Sequence, residues 1–177
     1  MLISFPNRHR RLRSLLTLAF LMSFLPAECP AEPYVWPTWR AATATGQEFH
    51  SRQLDGNVVV MTMWASWCPS CRKQLPIMDN LQQFYQKEGV QVLSFSFDHS
   101  ERTHNKYVTD HNLKLPSIFA RSGDGLKVVK MLQKGAGTLE AVPTVLIYDK
   151  QGRLAHRLVG FFNRRQLEDL IGPLLEE

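Results

Sequence analysis

The chain has 177 residues, 44% of them apolar, with ten phenylalanines and four tryptophans, enough for one ordinary globular domain with a short appendage. Its formal charge of +5 is concentrated at the start. Residues 1–31 hold four of the 21 Lys and Arg but one of the 16 Asp and Glu, which leaves 17 basic against 15 acidic side chains, or +2, in the rest. With no basic stripe interleaved with aromatics, nucleic acid is not an indicated partner, and no segment is low in complexity or repeated.

Residues 8–13 (RHRRLR) are a basic cluster, residues 15–25 (LLTLAFLMSFL) an apolar run, and residues 26–31 (PAECPA) a tail of small residues. That order is the pattern of a secretory signal peptide, with cleavage near Ala27 or Ala31. The apolar run falls short of the roughly 20 residues of a comfortable membrane span; an uncleaved anchor is the alternative. Glu28 precedes Cys29 where a lipobox wants a small residue, which argues against lipidation. The expectation is a signal peptide at 1–31 and a folded domain at 32–177. The protein is then exported, periplasmic, and held at the inner membrane if the leader stays uncut. Disulfides persist outside the cytoplasm, and cleavage beyond Cys29 leaves only Cys68 and Cys71.

Along the folded part, Thr45-Gly46 and Asp55-Gly56 are turn signals around short extended pieces, read as a β-hairpin or edge strand. Residues 58–63 are a near-continuous apolar run, as a central strand covered on both faces would be. After the cysteines, Leu75, Met78, Leu81 and Tyr85 repeat at helical spacing up to Gly89. Pro76 inside that pattern predicts a kink. Residues 90–97 form a strand with Asp98 at its carboxyl end. A helix with Ser100 as N-cap follows, then an extended LKLPSIF, and a short helix between the glycines of GDGLKVVKMLQKGAG. VPTVLIYDKQGRLAHRLVGF reads as a hairpin turning at DKQG. The last segment is an amphipathic helix capped by Asn163, with Leu167, Leu170, Ile171 and Leu174 facing inward. The fold class is α/β, a mixed sheet between helical layers.

Cys68 falls where the 58–63 strand passes into a helix, and Cys71 one turn later. Residues three apart on a helix share a face, close enough for a disulfide. Unpaired N–H groups and the macrodipole at the helix start favour a Cys68 thiolate, with a pKa below the free value of roughly 8.5. Pro69 lacks only an N–H that would be spare there. Cys71 is then placed to resolve a mixed disulfide. A zinc site would need four ligands, and no second CxxC or close Cys/His pair exists; neither metal nor cofactor is expected. His99, His104 and His111 read as solvated surface residues. A structural disulfide over so short a loop would restrain little chain entropy. Met61 and Met63, on one face of a strand, read as core; Trp64 reads as core or as groove wall.

WASWCPSC, the CRKQLP behind it and AVPTVLIYDKQGRL some seventy residues on together resemble the thioredoxin superfamily, most closely its exported TlpA-like group. The resemblance implies a thioredoxin-like sheet flanked by helices, with an N-terminal hairpin extension. It implies catalytic Cys68 and Cys71, a substrate groove bordered by Trp67, and a cis peptide at Val142–Pro143 whose Val142 backbone pairs with an extended substrate. The implied activity is thiol–disulfide exchange with protein thiols and disulfides. A reductase of this kind would be fed by a membrane electron donor. Departures are visible too. Thr62 stands where thioredoxin has a buried Asp, Gln74 where cytochrome c maturation relatives carry a Glu, and Thr144 where some have a Glu. No carboxylate is therefore expected to tune the site. The alternatives are a thiol peroxidase and a copper carrier. A peroxidase would want Thr where Ala65 stands, and a copper carrier a CxxxC spacing.

Overall fold

The computed structural model describes residues 38–121 and 123–177; the leader and Cys29 lie outside the described residues. Two short strands, β1 (Arg40–Ala42) and β2 (Glu48–His50), pair antiparallel as a hairpin. Then come β3 (Val58–Trp64), α1 (Pro69–Tyr85), β4 (Val90–Ser96), α2 (Glu101–Asp110), β5 (Ser117–Phe119), α3 (Gly123–Ala136), β6 (Thr144–Tyr148), β7 (Leu154–Val159) and α4 (Arg164–Glu176). The five-stranded sheet has the order β5-β4-β3-β6-β7. β3, β4 and β5 run parallel, while β6 and β7 are antiparallel additions.

β3 is buried along its whole length because both faces of the sheet are covered. Val58, Val60 and, from β6, Val145 and Ile147 pack under α1 and α4 with Met78, Leu81, Leu167 and Ile171. Met61 and Met63 face the other way, against Val128, Val129 and Leu132 of α3 and Phe49 of the hairpin, so both methionines are core. Leu167, Ile171 and Leu174 of α4 are buried while Leu170 is half-buried. α4 begins at a reciprocal cap: Asn163 Oδ1 accepts from the Gln166 N–H at 3.0 Å, and Gln166 Oε1 from the Asn163 N–H at 2.9 Å.

Two readings are refined. The helix between the glycines is not short: α3 has 14 residues and takes Gly125 into its first turn. α1 continues through Pro76, then tightens into a 3-10 turn, Gln86–Glu88. Gly89 ends that turn at φ +89°, a left-handed conformation that glycine adopts without a Cβ penalty.

Polar side chains of α1 finish what the sheet leaves undone. β5 pairs with β4 only from Ser94 onward. The Val92 N–H, one step earlier, donates instead to Gln82 Oε1 at 2.6 Å. Asp79, also buried, accepts at Oδ1 from the N–H groups of Lys114 (2.6 Å) and Leu115 (2.7 Å), which anchors the entry to β5. Asp79→Ala strands two backbone donors, one of them fully buried, and is expected to cost about 2 kcal/mol, read as a lower urea midpoint with unchanged slope.

Candidate active site

The site lies at the carboxyl ends of β3 and β4, where chain order splits between neighbouring strands. Residues 65–67 lead from β3 to Cys68, which is the N-cap of α1, with Pro69 in its first turn. Cys68 and Cys71 are joined as a disulfide, their Cα atoms 5.2 Å apart. Cys68 Sγ accepts from the Cys71 N–H at 3.3 Å and lies 3.3 Å from Ser70 Oγ. Cys71 is fully buried against Trp64, Leu75 and Val108, whereas Cys68 keeps 5% of its surface. Trp64 is core, in contact with the rings of His104 and Tyr107.

Trp67 is 55% exposed and stacks on His99 with centroids 6.2 Å apart. The Val142–Pro143 bond is cis. The Val142 carbonyl oxygen sits 3.6 Å from Cys68 Sγ, and the Gly160 N–H donates to the Pro143 carbonyl at 2.8 Å. The structure thus brings Cys68, Cys71 and Val142 together, with Pro143 buried behind and Trp67 at the edge. A cleft of about 360 Å³ opens beside them, walled by Trp67, Phe97, Leu126 and Val142 and flanked by Arg121 and Glu140.

The replaced positions are also located. Thr62 is buried, and its hydroxyl has no partner among the described residues. Gln74 is buried as well. Its Oε1 accepts from the Phe162 N–H at 2.8 Å, tying α1 to the segment after β7, and its Nε2 has no partner among the described residues. Ala65 is buried and presents no hydroxyl.

One expectation is corrected. His104 is not at the surface: it is fully buried, while His99 and His111 are exposed. His104 fits there because Ser94 and Ser117, adjacent on β4 and β5, form a polar row with it. Ser94 Oγ donates to Ser117 Oγ at 2.8 Å, and Ser117 Oγ lies 2.7 Å from His104 Nε2. A carboxylate is also present near the cysteines. Asp98 is fully buried and accepts from Ser66, two residues before Cys68.

Burial pushes the His104 pKa down from 6.5 to about 4, against a smaller raising pull from Asp98. A depressed folded value means that the unfolded chain binds the proton first. The stability from neutral His104 is therefore full above pH 6.5 and is lost as pH falls to about 4. The loss amounts to roughly 3 kcal/mol. In urea melts from pH 7.5 to 4, wild type should weaken over this window, and His104→Gln should lack that component in the difference between the two curves.

A mixed, helix-flanked sheet with a CxxC disulfide at the start of α1 and a cis-proline beside it defines a thioredoxin-like thiol–disulfide oxidoreductase. Residues 35–157 match the AhpC/TSA family, and the chain belongs to it. A relative from Bacillus cereus named thiol-disulfide oxidoreductase ResA is 26% identical over 132 residues, covering 75% of this chain and 72% of that protein. In structure, the fold is similar to a thiol:disulfide interchange protein of the thioredoxin family from Chlorobium tepidum, with a TM-score of 0.73 and 20% identity over 82% of this chain and 98% of that one. It is also similar to a secreted thiol-disulfide isomerase from Corynebacterium glutamicum, with a TM-score of 0.66 and 24% identity over 80% and 86% of the two chains.

Proposed function

We propose that the protein is an exported reductase of protein disulfides, with Cys68 as nucleophile, Cys71 as resolving thiol, and Trp67, Val142 and Pro143 as the substrate-binding surface. The observation that carries this reading is the unequal placement of two bonded cysteines: Cys68 at the helix start, 3.6 Å from the Val142 carbonyl, and Cys71 sealed beneath. In the reduced enzyme the Cys68 thiolate attacks one sulfur of a substrate disulfide. A Cys68–substrate disulfide forms, and the other substrate sulfur leaves as a thiolate. Cys71 then attacks Cys68 Sγ, restoring the internal disulfide and releasing the second substrate sulfur. Two electrons pass from the cysteine pair to the substrate, and the departing thiolates take up two protons. A membrane dithiol donor would reduce the pair again.

Supporting the reducing direction, Cys68 Sγ has beyond the helix N-terminus itself one backbone N–H and one serine hydroxyl within hydrogen-bond reach among the described residues. A poorly stabilised thiolate gives a more reducing couple. Export rests on the basic cluster, short apolar run and small-residue tail of residues 1–31, read as a signal peptide cut near Ala27 or Ala31, with an uncleaved inner-membrane anchor as the alternative. Among the described residues no helix is long and apolar enough to cross a membrane. Acid trapping of thiols in the native host should find Cys68 and Cys71 mostly reduced and the protein outside the cytoplasm. A mostly oxidised pair would make it an oxidant, and full-length protein in the cytoplasm would refute export. Consumption of hydrogen peroxide at rates rivalling disulfide reduction would favour a peroxidase instead.

A further inference from the structure

We propose that Asp98 is a positioning residue for the active-site loop, its buried carboxylate fixing the approach to Cys68 and opposing negative charge on the Cys68 sulfur. This rests on the reading of Cys68 as nucleophile and accounts for the reducing direction of the site. Asp98 follows β4, the parallel neighbour of β3. It is fully buried, and among the described residues its side chain accepts hydrogen bonds from Ser66 and Ser96. Oδ1 accepts from the Ser66 N–H at 2.9 Å and the Ser66 hydroxyl at 2.7 Å, and Oδ2 accepts from the Ser96 hydroxyl at 2.9 Å. The Ser66 N–H can only donate and both hydroxyls can turn their hydrogens to the carboxyl, so three donors meet its acceptor capacity. The Asp98 N–H donates to Ser96 Oγ at 3.2 Å, and the Phe97 N–H to the Trp64 carbonyl at 2.7 Å. The ends of β3 and β4 are thereby stitched together one step before the cysteines.

Ser66 lies two residues before Cys68, so chain reach alone keeps the carboxylate within roughly 12 Å of Cys68. At an effective dielectric of about 20, a charge at that distance shifts a titration by about one pH unit. The ionisable groups around Asp98 leave this effect standing. His104 of α2 is neutral above pH of about 4. Tyr107 of α2 is held neutral by burial, which raises its pKa. The facing residues of β5, Ser117 and Phe119, carry no charge. Arg72 of α1, His99, Arg121 and Glu140 are all exposed, so solvent screens them.

The test is the pH dependence of iodoacetamide alkylation at Cys68 in the reduced full chain, read by peptide mass to separate it from Cys29 and Cys71. Asp98→Asn should lower the midpoint by about one pH unit. Ser66→Ala, which keeps the carboxylate and the main-chain bond, should leave it at the wild-type value. An unchanged midpoint in Asp98→Asn, or an equal shift in Ser66→Ala, overturns the proposal. Should Asp98→Asn not fold, the wild type serves. With ¹³C-labelled aspartate, the Asp98 carboxyl resonance should show an inflection where Cys68 ionises, and lose it in Cys68→Ser; no inflection in wild type overturns the proposal equally. Alkylation needs no substrate, so a shifted midpoint in a protein that exchanges with no disulfide would sink the proposed function and leave this inference intact.

Discussion

Cys71→Ser is expected to accumulate stable mixed disulfides with its substrates, while Cys68→Ser traps none. Both should lose steady-state reduction of a protein disulfide by roughly three orders of magnitude or more, since nucleophile and resolving group act as one unit. The asymmetry follows from position. Cys68 is the N-cap of α1, with its sulfur at the mouth of the site and an N–H donor aimed at it. Cys71 is enclosed by Trp64, Leu75 and Val108 and is reached only by a sulfur already attached to Cys68. Gel analysis of each variant under non-reducing conditions decides it. Adducts formed by Cys68→Ser, with none from Cys71→Ser, would reverse the roles.

Gly125→Ala is expected to destabilise the protein by about 3 kcal/mol, although alanine is the better helix former by up to about 1 kcal/mol. A Cβ at this position would fall on the Phe119 carbonyl oxygen and crowd Ile118 Cγ2. The obstacle is backbone, so no rotamer change relieves it. Either α3 lifts from β5, or the Phe119 peptide turns away. Because Phe119 stacks on His104 at 6.2 Å between centroids, the damage should reach the polar row under the site. Urea melts of Gly125→Ala and Gly125→Ser should both show the loss. A wild-type midpoint in both would mean that α3 approaches β5 less closely than described.

Much of this architecture could be read from local pattern. The apolar run at 58–63, the helical spacing after Cys71 and the DKQG turn each carry their signal within a few neighbouring residues, and the strand and helix order follows from them. What stayed hidden depends on pairings across the chain. His104 sits among Glu101, Asn105 and Lys106 and looks like a surface residue. Its burial depends on Ser117, thirteen residues on and on strand β5. Asp98 was visible as a residue at a strand end, but its bonds go to Ser66, 32 residues earlier. Gln74 reads as a missing acid until its amide oxygen is found on the Phe162 N–H, 88 residues away. The length of α3 was masked by Gly125, whose helix-breaking character is outweighed by the close approach that only glycine permits.

The small hairpin at the start of the fold also governs how the protein behaves in solution. Its turn crosses onto β5, where Thr43 bridges to Ile118 and the Ala44 N–H donates to the Ser117 carbonyl at 2.8 Å. β5 would otherwise be a bare sheet margin, and such margins recruit copies of themselves into aggregates. A shortened chain beginning at Asp55 would retain every strand of the main sheet and both cysteines. It would also uncover that margin together with the apolar surface under Phe49 and Leu54. For anyone trimming the protein for expression, the practical boundary lies before Trp39, and light scattering is expected to show more aggregation in a chain cut beyond it than in the full chain.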